Sequence, residues 1–328
     1  MPFKKVKNWA WESYWLVGGC FSWLIVPPIA AYLTIPNFVE IIAAASPAIK
    51  AFTFSMGLIW GIGGLTYGLG VRYLGMSLGN SIVLGFCSAF GALVPSIYYN
   101  FYPTEGKISF TDMLHSTGGQ LVLVGVVVCL IGIAISGKAG ILKEKDFAVG
   151  HEDKDKDFNL TKGLIIAVIS GILSSFFNYG IEGGKPMAEA AVVSGCNPLF
   201  QNNVTYIVLL WGGLTTNFVW CMYLNFKNKT FGDYTNKQSP ITKNILFSAL
   251  AGTMWFLQFF FYGMGESKLG NGASSWILHM ATIILTANFW GFYLKEWKGV
   301  SKKTFNTFLW GIGLIMLSIV LVGIGNSL

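Results

Sequence analysis

The chain has 328 residues, 53% of them hydrophobic and 11% charged, with a formal net charge of +7. Soluble domains carry about 25% charged residues, so this balance excludes an ordinary soluble protein and points to a multi-span helical membrane protein. The positive charge sits in lysines between apolar runs and is a topology signal, not a nucleic-acid footprint; the five cysteines show no spacing of a disulfide framework or zinc site.

An apolar run needs roughly 20 residues to cross a bilayer as a helix. Nine such runs are predicted in chain order: Trp11–Thr34, Phe52–Tyr73, Leu78–Tyr98, Thr117–Ser136, Lys162–Ile181, Val204–Asn225, Ile245–Gly265, Ser274–Leu294 and Phe305–Ile324. The first has a basic start, but it is long and its repeat partner is internal, so a span is expected there and not a cleaved leader. Of 22 basic residues, 18 fall in alternate loops, leaving only Lys50, Lys107, Lys185 and Lys268 in the others. By the positive-inside rule the N-terminus is cytoplasmic and the C-terminus external. The charged run His151–Asp157 reads as a solvated cytoplasmic linker. It divides a first repeat, residues 1–140, from a second, residues 162–328, with the linker at 141–161.

The second and seventh runs contain one passage written twice. Gly57–Gly75 laid on Gly252–Gly270, at an offset of 195, matches at 7 of 19 positions: Gly57/Gly252, Trp60/Trp255, Tyr67/Tyr262, Gly68/Gly263, Gly70/Gly265, Leu74/Leu269 and Gly75/Gly270. Chance gives roughly one or two. The expected orientations of the two copies are opposite, which makes an inverted-topology repeat, a device of secondary transporters. The first four runs are expected to overlay the last four after a rotation of about 180°. The same offset carries the fifth run to a position before Met1, so one span is expected to be missing at the start.

Strongly polar residues deep in a span are functional candidates by default. His279 either accepts a coupling proton or hydrogen-bonds a neighbouring helix. Gln258 and Asn178 carry both donors and acceptors, as a neutral polyhydroxy ligand needs, or act as interhelical glue. Trp60 and Trp255 lie near mid-membrane, away from the interfacial belt usual for Trp; they either stack on a sugar or simply pack. Glu12 is either a snorkelling rim residue or a proton carrier. Arg72, the sole Arg, reads as an anchor for its helix end, and Tyr67 and Tyr262 as structural.

The stretches Pro2–Lys7, Met56–Gly79, Gly163–Met187, Met254–Tyr262, Ser275–Met280 and Leu294–Trp297 together resemble the bacterial L-rhamnose–proton symporters of the drug/metabolite transporter superfamily. The resemblance implies an all-α membrane protein with ten helices in two five-helix inverted repeats, nine of them predicted here and the first absent. It implies import of L-rhamnose, and of related sugars, across the cell inner membrane, driven by protons and with no other cofactor. Trp60, Trp255, Gln258 and Asn178 would line the sugar site, and His279 and Glu12 would carry the proton. The partners expected are a small-molecule sugar and the lipid bilayer, with a homo-oligomer compatible with the sequence and no nucleic acid. Another sugar or small metabolite, or coupling to Na⁺, keeps the same fold. An intramembrane enzyme would need paired carboxylates or metal ligands within the spans, and a channel a polar stripe along a pore; the sequence shows neither pattern.

The orientation is testable with Gly150→Cys and Thr235→Cys in a background free of the five native cysteines. Both sites are expected to resist a membrane-impermeant thiol reagent added from outside; external labelling of either would reverse the topology.

Overall fold

The computed structural model describes residues 2–101, 103, 108–150, 159–269 and 272–328. The charged run His151–Asp157 therefore lies outside the described residues. Among the described residues there is no strand. Lipid cannot hydrogen-bond a chain, so each backbone N–H and C=O must find its partner within its own segment, and a chain this apolar becomes helix.

Seven helical stretches are long and apolar enough to cross a membrane: Trp11–Thr34, Pro47–Leu74, Thr117–Phe147, Leu160–Val193, Pro198–Asn228, Ile241–Lys268 and Lys302–Ser327. The helices are α1 (Trp11–Gly19), α2 (Val26–Thr34), α3 (Phe38–Ala44), α4 (Pro47–Leu74), α5 (Met76–Phe101), α6 (Phe110–His115) and α7 (Thr117–Gly150). They continue as α8 (Leu160–Gly183), α9 (Lys185–Val193), α10 (Asn202–Asn228), α11 (Ile241–Leu269), α12 (Gly272–Tyr293) and α13 (Lys302–Ser327). The third and eighth expected runs lie in α5 and α12, of 26 and 22 residues. Helix α7 continues through residues 141–150, so the start of the stretch expected as linker is helical.

Two breaks have local causes. Between α1 and α2 the chain widens into a π-helix, Cys20–Ile25, in which the Val26 N–H reaches back five residues to the Phe21 carbonyl. Pro27 and Pro28 follow directly. Neither carries an N–H, and each ring would crowd the carbonyl four residues back, so the turn before them opens. Between α4 and α5 a single residue, Gly75, takes φ +84°, a conformation that favours glycine.

The chain forms two compact units. The first comprises residues 1–62 and 179–270. In it Gly57 of α4 lies against the backbone of Leu209 and Gly212, and Gly61 against Gly213 and Thr216, so α4 runs beside α10 in the same direction. The α1–α2 stretch runs against α10: Ser13 Oγ donates to Asn225 (3.3 Å), Trp15 Nε1 to Asn217 (3.0 Å), and Asn203 Nδ2 to Thr34 (3.0 Å). Helix α11 runs with α1, since Lys7 meets Asn244 through two hydrogen bonds and Gly18 meets Gly252. Within this unit α4 and α11 therefore run in opposite directions.

The second unit comprises residues 63–178 and 271–328. Its longest contact is the antiparallel pair α7 and α13. Gly118, Gly125 and Gly132 on α7 abut Gly325, Ser318 and Gly311 on α13, so both helices present a small residue every seventh position. Lipid tails are as apolar as leucine, so helices associate through close packing, and small residues let the backbones approach. Large apolar side chains such as Trp310 and Phe289 point outward instead, as lipid-facing groups do.

A Cβ on Gly132 would stand 2.9 Å from the Gly311 carbonyl, whereas one on Gly313 of the same pair would meet nothing within 4 Å. Gly132→Val is expected to cost about 1–3 kcal/mol and to lower the melting temperature in detergent, while Gly313→Ala leaves it unchanged or raised. Equal behaviour of the two variants would show that the seam does not hold the unit together.

Candidate functional site

The repeated tryptophans meet. Trp60 of α4 and Trp255 of α11 lie with ring centroids 5.7 Å apart. Each sits near the middle of its helix, so both indoles are far from either rim. Trp23, from the π-helical turn, stands edge-on to both, at 6.2 Å from Trp60 and 5.5 Å from Trp255. Phe259, one turn beyond Trp255, closes the cluster at 4.9 Å from Trp255 and 6.3 Å from Trp60. Edge-to-face aromatic contacts are favourable by about 0.5–1.5 kcal/mol beyond burial. Gly213 is what admits Trp60: a Cβ there would collide with the indole. Gln258 follows on α11, half-buried. The sequence reading had found Trp60 and Trp255 through the repeat and had not singled out Trp23.

Glu12 opens α1 and is buried. Its Oε1 accepts hydrogen bonds from Asn228 Nδ2 and Thr230 Oγ1, both at 2.9 Å. Beside it Asp233 accepts from the Ala10 N–H and from Ser13 Oγ, at 2.8 and 2.7 Å. Two carboxylates at a helix N-terminus complement its dipole and tie the start of α1 to the segment after α10. Glu12 lies eleven residues before Trp23, roughly 16 Å along the helix axis at 1.5 Å per residue. The structure does not bring it to the indoles.

Asn178 and His279 belong to the second unit. Asn178 is buried on α8, and its Oδ1 has no hydrogen-bond partner among the described residues. The preceding Phe177 stacks on Trp276 at 5.9 Å, and the His279 ring lies 6.1 Å from Trp276. His279 thus lies beside the stacked aromatic pair, and Asn178 follows its Phe177 in sequence. Tyr67 donates from its hydroxyl to Asn80 in the same unit, in keeping with a structural role.

A second carboxylate escaped the sequence reading. Glu296, in the turn after α12, accepts from the N–H groups of Met76 and Ser77 with one oxygen each, both at 2.9 Å. The side chain therefore caps the N-terminus of α5 at the Gly75 break. The neighbouring Lys143 is buried, with its ammonium 5.0 Å from the Trp297 ring, and Trp297 stacks on Phe308 at 3.8 Å. The signal was present in Leu294–Trp297, but a loop glutamate ordinarily faces water.

Glu296→Ala leaves two N–H groups at the start of α5 without their acceptor. A loss of about 2–4 kcal/mol is expected from two charge-assisted bonds, read as a lower melting temperature, with Glu296→Gln intermediate because one amide oxygen remains. Unchanged melting of Glu296→Ala would remove the clamp from the account.

No group of three or more His, Cys, Asp or Glu side chains arranged to hold a metal occurs among the described residues. What the sites offer is aromatic faces, neutral donors and acceptors, and isolated ionisable groups, the chemistry of a neutral polar ligand. Residues 1–327 match the family of the L-rhamnose-proton symport protein (RhaT). The proteins named L-rhamnose-proton symporter from Yersinia pestis (strain Pestoides F) and from Yersinia pseudotuberculosis (strains IP 31758 and YPIII) are each 40% identical over 331 residues, covering 99% of this chain and 93% of theirs. The family consists of transporters and not enzymes, and with its long apolar helices this multi-pass membrane chain belongs to the L-rhamnose-proton symport protein family.

Proposed function

We propose that this chain is a symporter of the cell inner membrane that imports L-rhamnose with protons. The observation that carries the reading is 40% identity, over nearly the whole chain, to proteins named for that activity. The coupling ion is the proton, and the substrate is a neutral sugar.

The finer architecture belongs to the same proposal. Helices α5 and α12 cross the membrane with the seven longer stretches, giving nine spans of a ten-helix inverted repeat. The repeats are residues 1–140 and 162–328, with a cytoplasmic linker between them. Three features support this. Helices α4 and α11, which carry the repeated passage, run in opposite directions. The close approaches Gly18–Gly252 and Gly57–Gly213 exchange under the 195-residue offset. Trp60 and Trp255, equivalent under the same offset, touch each other, as residues beside a two-fold axis do.

In this reading Trp60 and Trp255 stack on the C–H faces of the sugar, and Gln258 and Asn178 exchange hydrogen bonds with its hydroxyls. The proton needs a titratable host within the spans. His279 receives it nearer the external end, and Glu12, at the opposite rim, releases it inward. The bilayer is the solvent, and self-association is compatible with the outward apolar face.

Proteoliposomes test the coupling. His279→Ala is expected to abolish accumulation of labelled L-rhamnose against its gradient, by at least tenfold relative to the parent, while exchange of internal for external sugar persists in part. Exchange requires alternating access but no net proton movement. Glu12→Gln is expected to do the same. If both variants concentrate the sugar like the parent, the proton is carried by other groups.

A further inference from the structure

We infer that Trp23 and the proline-opened turn on which it sits form a hydrogen-bonding subsite for the pyranose, with the indole N–H donating to one sugar hydroxyl and the carbonyls freed by Pro27 and Pro28 accepting from others. This rests on the reading that the chain carries a sugar, and adds a residue and a geometry that neither the repeat nor the family name supplies.

The first observation is an orphaned donor. Trp23 is 4% exposed, and its Nε1 has no hydrogen-bond partner among the described residues. Buried indole N–H groups ordinarily find an acceptor, because leaving one unpaired costs a full desolvation penalty. The indoles of Trp9 and Trp297 likewise have no acceptor among the described residues, but of these three Trp23 is the one that stands against Trp60 and Trp255, where a ligand is an explanation that fits its place. Trp23 lies near the middle of the Trp11–Thr34 stretch, where lipid offers no acceptor.

The second observation is the backbone beneath it. Two consecutive prolines withdraw two N–H donors from the π-helical turn Cys20–Ile25, so the carbonyls one turn back receive no helical bond from them. Widened turns of this kind recur at functional sites. Transporters place substrates at interrupted helices near mid-membrane, where irregular backbone can line a cavity. A sugar hydroxyl both donates and accepts, so an unpaired indole N–H on a turn that lacks two backbone donors matches it, with the indoles of Trp60 and Trp255 covering the C–H face.

The third observation is asymmetry. Trp60 and Trp255 exchange under the 195-residue offset, but the offset carries Trp23 to Phe218, a side chain with no hydrogen-bonding group. The aromatic pair is two-fold and indifferent to which way a sugar lies. A single N–H on one side gives the ring one preferred orientation. The cavity bordered by Ser22, Trp23, Gly252 and Trp255 measures about 20 Å³, room for one water. A pyranose therefore reaches this donor only as the indoles separate, and binding is tied to that movement.

The test crosses the side chain with the substrate. Purified parent protein is reconstituted, and the KM of L-rhamnose uptake is measured beside competition constants for its monodeoxy analogues. Trp23→Phe is expected to raise KM about tenfold with kcat changed less than twofold, the size of one buried hydrogen bond. Against one deoxy analogue the variant and parent should then be equal, since the lost donor and lost hydroxyl are the same bond. If every deoxy analogue weakens parent and variant by the same factor, Trp23 does not touch the sugar and the inference is overturned, while the transport reading stands. If the parent neither transports nor binds L-rhamnose, the transport reading itself fails. Should Trp23→Phe not fold, the double replacement Pro27→Ala with Pro28→Ala decides: it returns two donors to the turn and is expected to raise KM about tenfold, and an unchanged KM overturns the subsite.

Discussion

Backbone-to-backbone contact at glycine is the interaction on which this structure depends. In lipid there is little hydrophobic gain when two apolar helices meet, so association rests on how closely their main chains can pack. Gly18 with Gly252 and Gly57 with Gly212 draw four helices of the first unit together. Gly132 with Gly311, and Gly118 with Gly325, do the same for α7 and α13 in the second. Large side chains are displaced from these seams and gather elsewhere, outward toward lipid or inward as the cluster of Trp23, Trp60, Trp255 and Phe259. The indole cluster exists because neighbouring glycines make room: Gly213 for Trp60, and Gly19 for Trp23.

Charge is used sparingly and mainly at helix ends. Asp233 secures the start of α1 and Glu296 the start of α5 by accepting backbone N–H groups at the helix terminus, while Glu12 ties α1 to the Asn228 and Thr230 side chains. The aromatic cluster of the first unit is built from neutral groups. A transporter of an uncharged sugar needs that division. Fixed charges hold the frame, while the path that a ligand follows must bind through many weak neutral contacts so that it can also let go.

Much of this was legible in the sequence, and the exceptions have physical reasons. The helices and their order followed from hydropathy, because lipid permits so few alternatives. Trp60 and Trp255 stood out because a repeat marks its own important positions twice. Trp23 has no such partner, and its importance arises from what Pro27 and Pro28 do to the turn before them, an effect on winding that no pattern of side chains displays. Glu296 was hidden for a related reason: its partners are two backbone N–H groups, which leave no trace in the sequence beyond Gly75. Glu12 stood out as an ionisable residue at the end of the first apolar run, but its partners Asn228 and Thr230 come from more than 200 residues away.

The small residues of α7 and α13 recur every seven positions, while an ideal α-helix falls about 20° behind that period with each heptad. Keeping Gly118, Gly125 and Gly132 on one face therefore requires the two helices to wind gently around each other, as in a left-handed coil. Such a pair is intolerant of changes in length. One residue inserted between Gly118 and Gly132 would swing everything after it by about 100°, turning glycines toward lipid and bulky leucines into the seam. Drift among natural versions of this chain should thus be free in the identity of outward residues along α7, yet leave the count of residues between its glycines untouched.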